Sequence, residues 1–215
     1  MSPSPSAAPV EPAWLQWSRE LQAIAQNGLL FTENPYDRQR YEAIRAIAAQ
    51  IMAAGSGEPL EVIAGLFSAQ AGYATPKVDV RGVVFRDDQI LLVREAHDGL
   101  WALPGGWVDP NESPSEAVTR EISEEAGFAT RALKLLAVFD RAKHAHVPPY
   151  AFSIYKLFIR CEIESGQPRP SIETLEVAFF PEDRLPALSI ARVTPAQIAR
   201  CFQHLRHPEW PADFD

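Results

Sequence analysis

Five residues able to do chemistry crowd into one short stretch: Glu112, Arg120, Glu121, Glu124 and Glu125. Glu121 and Glu125 are four apart and Glu124 lies beside them, so on a helix the three carboxylates share one face. Like charges at these spacings cost roughly 0.2–0.5 kcal/mol per pair on an open helix. A cation between them removes that cost, and a set of hard oxygen donors selects Mg²⁺ or Mn²⁺. Such an ion polarises phosphoryl oxygens and lowers the pKa of water. No Ser or Cys stands in a nucleophile motif, which favours direct attack by water over a covalent route.

The residues around this cluster specify the element that must hold it. Ser113-Pro114-Ser115-Glu116 reads as a capping box, with Ser113 at the N-cap and Pro114 at the first helical position. Gly127 is placed to end the same helix. Val118, Ile122 and Ala126 fall on an arc adjoining the acidic face and can pack into a core. Upstream, Pro104-Gly105-Gly106 supplies a tight entry turn.

Residues 106–128, GWVDPNESPSEAVTREISEEAGF, also resemble the Nudix box at every constrained position. These are Gly106, Glu112 after five residues, Arg120-Glu121 after seven more, then Glu124-Glu125, Gly127 and apolar Phe128. The resemblance implies a divalent-metal hydrolase acting on a nucleoside diphosphate linked to another group X. Its products would be a nucleoside monophosphate and phosphorylated X. It implies metal ligands at the Gly106 carbonyl, Glu121, Glu124 and Glu125, with Mg²⁺ first and Mn²⁺ possible. Arg120 would pair with the carboxylates and orient them, and Glu112 would fix the loop or reach the metal through water.

Around this centre, apolar periodicity reads as helices over 14–26, 36–54 and about 59–67, stopped by Asn27-Gly28, by Gly55-Ser56-Gly57 and near Gly72. After Thr75-Pro76 the period changes to strands over 78–85, 89–95, 99–103, 132–139, 151–162 and 175–180. One helical turn at 182–185 and a last helix over 194–205 follow. The expected organisation is a disordered tail over 1–13, an all-α module over 14–74 and a domain over 75–215. That last domain is α/β, an α/β/α sandwich with a mixed sheet. The front region resembles the helical N-terminal domain of a Nudix subfamily whose members include CDP-choline pyrophosphatase and ADP-ribose pyrophosphatase-like proteins.

Further candidates lie outside the box. Glu173 and Glu176 flank the last strand, where an acidic residue in Nudix relatives completes the metal shell or acts as general base. The run Asp140-Arg141-Ala142-Lys143-His144-Ala145-His146 gathers two cations and two imidazoles. With Arg81 on the first strand, its Arg141, Lys143, His144 and His146 are assigned to substrate binding. Trp14, Trp17, Phe31, Tyr36, Tyr41 and Tyr73 give the helical module an aromatic character suited to core packing, with base stacking as the lesser alternative.

Composition limits the rest. A net charge of −8 offers no basic footprint for sequence-specific nucleic acid. Cys161 and Cys201 are too few for a disulfide framework or a zinc site, and no apolar run reaches membrane-spanning length. A cytoplasmic protein acting on a small nucleotide, with no membrane association, is therefore expected, and the amphipathic, aromatic front helices, too slight to bury much alone, are expected to pack against a second subunit in a homodimer. Two rivals remain: cleavage of noncanonical nucleoside triphosphates or RNA ends at the same site, and a non-catalytic sensor. Sensors lose box carboxylates, whereas Glu121, Glu124 and Glu125 are all present.

Overall fold

The computed structural model describes residues 11–215. The chain divides into two compact units, one running to Pro76 and taking in Pro149–Ser153, the other made of Lys77–Pro148 and Ile154–Asp215. Most of the tail expected over 1–13 lies outside the described residues. By Glu11 the chain is already tied down, through an ion pair to Arg19 at 2.7 Å.

The first unit holds α1 (Ala13–Phe31), α2 (Pro35–Ser56) and α3 (Leu60–Ser68). Its core is Leu15, Ala48, Ala49, Met52, Ile63 and Phe67, and Ala151 and Phe152 pack against it from the returning segment. Asn34 caps α2 by accepting from the Tyr36 and Asp37 amides, with Pro35 in the first turn. The stop expected at Asn27-Gly28 is corrected, since α1 continues to Phe31. Gly28 is there for closeness: a Cβ on it would lie 2.3 Å from the Tyr41 ring. Asn27 instead accepts from the Ala74 amide at 2.7 Å. The aromatics divide. Trp14 and Tyr41 pack within the unit, while Trp17, Phe31, Tyr36 and Tyr73 are exposed.

The second unit is a mixed sheet covered on both faces. Its strands are β1 (Lys77–Arg86), β2 (Gln89–Glu95), β3 (Trp101–Ala102), β4 (Phe128–Asp140), β5 (Ile154–Gly166), β6 (Thr174–Pro181) and β7 (Asp213–Phe214). They run in the order β3-β2-β1-β5-β4-β7, with β6 on β2. β1 lies parallel to β5, and β7 parallel to β4; the other pairs are antiparallel. Alternation along β1 sends Val80 and Val84 to α4 (Pro114–Ala126) and Val83 to α5 (Pro195–Arg206). Leu91, Val93, Phe128 and Ile159 complete the α4 side; Ile90, Leu92, Phe139, Phe158, Ile198 and Phe202 complete the other. This is the expected α/β/α layering. β4 starts four residues earlier than its apolar pattern, at Phe128, because Ala129, Thr130 and Arg131 find partners on β5. β5 starts later than expected because 149–153 belongs to the helical unit. Among the described residues no helix is long and apolar enough to cross a membrane.

Candidate active site

The capping box forms as the sequence requires. Ser113 Oγ accepts from the Glu116 amide at 3.3 Å, and Glu116 Oε2 accepts from the Ser113 amide at 2.8 Å. Gly127 closes α4 in the left-handed conformation. The helix buries Ala117, Val118, Ile122 and Ala126 and, with them, two acids: Glu121 is 9% exposed and Glu125 5%. Glu124 stays at the surface.

The entry turn lies along β1, with the Val80 amide donating to Gly106 O at 2.9 Å and the Gly82 amide to Pro104 O at 2.8 Å. Gly105 sits at φ +142°, where a Cβ would come within 2.1 Å of Val80 O, so only glycine fits. Its amide donates to Glu125 Oε2 at 2.8 Å. At Gly106 a Cβ would meet Glu121 Oε1 at 2.8 Å, so the turn and the acidic face of α4 are pressed together.

Arg120 ties the acids to one another. Its Nε and Nη2 donate to the two Glu112 oxygens at 2.7 and 2.9 Å. Nη1 donates to Glu121 Oε1 at 3.0 Å and to Glu124 Oε2 at 3.1 Å. The bond from Arg120 holds the Glu112 carboxyl below its usual range. Burial pushes the Glu121 carboxyl up against the opposing pull of Arg120. Glu125 goes further, to about 8: burial dominates, Arg81 and the Gly105 amide oppose it, and Glu95 and Glu121 add to it.

A divalent cation fits this donor set. Glu121, Glu124, Glu125 and the Gly106 carbonyl are all hard oxygens. Two of these carboxylates are buried, and burial raises both, Glu125 to about 8 with Glu121 adding to it. Among the described residues no three acidic, His or Cys side chains stand close enough to encage an ion. The Arg120 guanidinium lies among them and would have to share Glu121 and Glu124 with the cation.

The remaining candidates fall into three groups. Thr174 Oγ1 donates to Glu125 O at 2.7 Å, which brings the start of β6, and Glu173 next to it, to the end of α4. The Glu173 charge also acts on Glu95. Glu176 instead ion-pairs with Arg94 at 3.0 Å on the neighbouring strand. Lys143 is exposed, and His144 lies 4.1 Å from the Phe139 ring with Nε2 at 2.9 Å from Asp215.

Of the residues assigned to substrate binding, Arg81, Arg141 and His146 are buried. Arg81 binds Asp79 through Nε and Nη2 at 3.0 and 2.6 Å. Arg141 donates to Pro148 O at 2.7 Å. His146 has Nδ1 at 2.8 Å from Ile190 O and Nε2 at 3.2 Å from Gln197 Nε2, and burial lowers its pKa to about 3. It therefore accepts from Gln197 as a neutral ring.

Sequence reasoning passed over Asp79, Glu95, Lys156 and Arg192. Lys156 Nζ donates to Asp79 Oδ1 at 2.6 Å. Burial would raise the Asp79 carboxyl, but Arg81 and Lys156 outweigh it and hold it low. Burial lowers Lys156 to about 8 in spite of Asp79. Arg192 Nε lies 2.9 Å from Glu95 Oε1, off any hydrogen-bond direction, so that buried oxygen has charge compensation but no donor. For Glu95 and Lys156 the available signal was a charge on a strand face that also carries buried apolar residues.

A family model described as the NUDIX domain matches residues 75–200, and one described as a UDP-X-like, N-terminal oligomerisation domain matches 12–67. A Bacillus subtilis (strain 168) protein bearing the name "Putative ADP-ribose pyrophosphatase YjhB" is 50% identical over 206 residues, 96% of this chain and 99% of the relative. The crystal structure of a UDP-X diphosphatase superposes with a TM-score of 0.61 at 33% identity, covering 94% of this chain and 98% of that one. An ADP-ribose pyrophosphatase from Streptococcus suis gives a TM-score of 0.59 at 38% identity, covering 66% of this chain and 100% of the other.

Proposed function

The chain belongs to the Nudix hydrolase family, and from that premise we propose that it cleaves nucleoside diphosphates linked to a second group, ADP-ribose first and CDP-choline next. The observation that carries this reading is the joining of the buried acids to the glycine turn. Glu125 is fixed by the Gly105 amide, Glu121 is pressed against Gly106, and Arg120 gathers Glu112, Glu121 and Glu124. Nudix hydrolases use a divalent cation, here Mg²⁺ with Mn²⁺ as a substitute, which supplies charge neutralisation at the diphosphate and lowers the pKa of a water. The chain's own residues do the rest. Glu121, Glu124 and Glu125, with the Gly106 carbonyl, would hold that cation, and Arg120 keeps Glu121 and Glu124 in register. Glu173 is the candidate to take the proton from the attacking water. Water adds to one phosphorus, the bridging P–O bond breaks, and a nucleoside monophosphate and phosphorylated X leave.

The near full-length likeness to a protein named for ADP-ribose supports that substrate over CDP-choline. The match to an N-terminal oligomerisation model, together with exposed Trp17, Phe31 and Tyr36, supports a homodimer built through the helical unit. Product analysis tests the chemistry: ADP-ribose should yield AMP and ribose 5-phosphate, with no turnover in chelator. A canonical dNTP with the highest kcat/KM, releasing pyrophosphate, would replace this reading with triphosphate cleavage.

A further inference from the structure

Beneath the glycine turn lies a buried ionic trio. Asp79 and Arg81 are each 5% exposed and Lys156 2%. Parallel pairing of β1 and β5 sets Asp79 directly opposite Lys156. Between them, Lys156 and the Arg81 fork engage both Asp79 oxygens. One Arg81 group remains, and Nη1 donates to Leu103 O at 3.2 Å.

Leu103 is the residue from which the turn departs. The Val80 amide, the Arg81 side chain and the Gly82 amide thus take the carbonyls of Gly106, Leu103 and Pro104. The Pro104–Gly105 peptide, held at its oxygen by the Gly82 amide, donates its N–H on the other side to Glu125. Three buried charges are a poor route to stability, since well-packed apolar side chains of the same volume often serve as well. Their geometry must answer to something else.

We propose that Arg81, locked in place by Asp79 and Lys156, is a positioning residue that sets the 103–106 turn so that the Gly105 amide meets Glu125 and the Gly106 backbone lies against Glu121. The Arg81 charge also acts on Glu125, so the same group places the acid's hydrogen-bond donor and offsets part of its burial. The fork is essential, because one planar guanidinium serves Asp79 twice and Leu103 once, which an ammonium cannot do. Its effect on turnover rests on the proposed hydrolase reading; its effect on the turn does not.

Arg81→Lys in the full chain tests the idea through four measurements: kcat and KM for ADP-ribose, Mn²⁺ affinity by the electron paramagnetic resonance of the free ion, hydrogen exchange at the Gly105 amide, and Tm. Expected are a kcat lowered ~10–100-fold with KM unchanged, Mn²⁺ affinity weakened by a similar factor, and faster exchange at Gly105. A raised KM with kcat and Mn²⁺ affinity intact would make Arg81 a substrate contact and overturn the proposal. So would a lowered Tm with all three other readouts unmoved. If Arg81→Lys fails to fold, Lys156→Met carries the test, with smaller changes in the same direction supporting the proposal and the same two patterns overturning it. Wild-type protein inert toward both ADP-ribose and CDP-choline would end the functional reading, and the Mn²⁺ and amide readouts would still decide the role of Arg81.

Discussion

Replacing Glu125 by glutamine in metal-free protein should make the molecule more stable, and the gain should depend on pH. In the folded chain the Glu125 carboxyl keeps its proton up to about 8, against an ordinary glutamate value of 4.5. Between these values the folded state binds more protons than the unfolded one. The contribution of Glu125 is therefore full below pH 4.5 and is lost as pH rises through about 8. At about 1.4 kcal/mol per decade, the interval sets a ceiling of about 5 kcal/mol. Relaxation and water entry around a buried charge reduce that to on the order of 2–3 kcal/mol. Glu125→Gln keeps the volume and an acceptor for the Gly105 amide but carries no charge. Urea denaturation in chelator should show the two proteins alike at pH 4.5–5 and the variant ahead by ~2–3 kcal/mol at pH 9. Mg²⁺ should close most of this gap at pH 9, since ligand at 100 times Kd adds ~2.7 kcal/mol to the protein that binds it. Turnover in Mg²⁺ should fall at least ~100-fold. A stability difference that does not change with pH in chelator would refute the account of Glu125 as a buried, charge-starved acid.

Gly105→Ala, forced to φ +142° against Val80 O, should lower stability by roughly 3 kcal/mol or more in denaturant titration, and retained wild-type stability would mean the turn can move. Ser113→Ala removes the N-cap acceptor and should cost about 1 kcal/mol, measured by the same titration. His146→Ala should leave the kcat/KM ratio of ADP-ribose to CDP-choline unchanged while costing ~1–3 kcal/mol, because its partners are Ile190 O and Gln197. A ring with a pKa of about 3 instead of 6.5 stabilises fully above pH 6.5, and that contribution fades as pH falls toward 3. A shifted substrate ratio would return His146 to the substrate.

The acidic helix and its turn were legible because their signals are local. The capping box, the Gly127 stop and the four-residue step from Glu121 to Glu125 all act within one element. The layering was legible for a related reason, since alternation along β1 names its two faces. What escaped depends on distant partners. Lys156 reaches Asp79 across 77 positions, so nothing beside either residue announces the pair. β7 is two residues long and exists only because β4 presents an edge to it. Gly28 looked like a helix stop because a sequence does not show the Tyr41 ring lying against it. Arg81, Arg141 and His146 read as substrate contacts because a polar side chain in a sequence suggests solvent, and here they bond to the protein's own carbonyls and carboxylates.

The segment Pro149–Ser153 has a practical consequence. Because it belongs to the helical unit, the backbone passes between the two units three times. A single cut after Pro76 would sever only one of those connections. A fragment beginning at Lys77 would carry Ala151 and Phe152 without the core they pack on, and Phe152 would lose the Phe67 ring whose centroid lies 6.3 Å away. The helical unit is therefore not a cassette that can be removed or exchanged at one join: any graft must also replace five residues from the middle of the catalytic sequence.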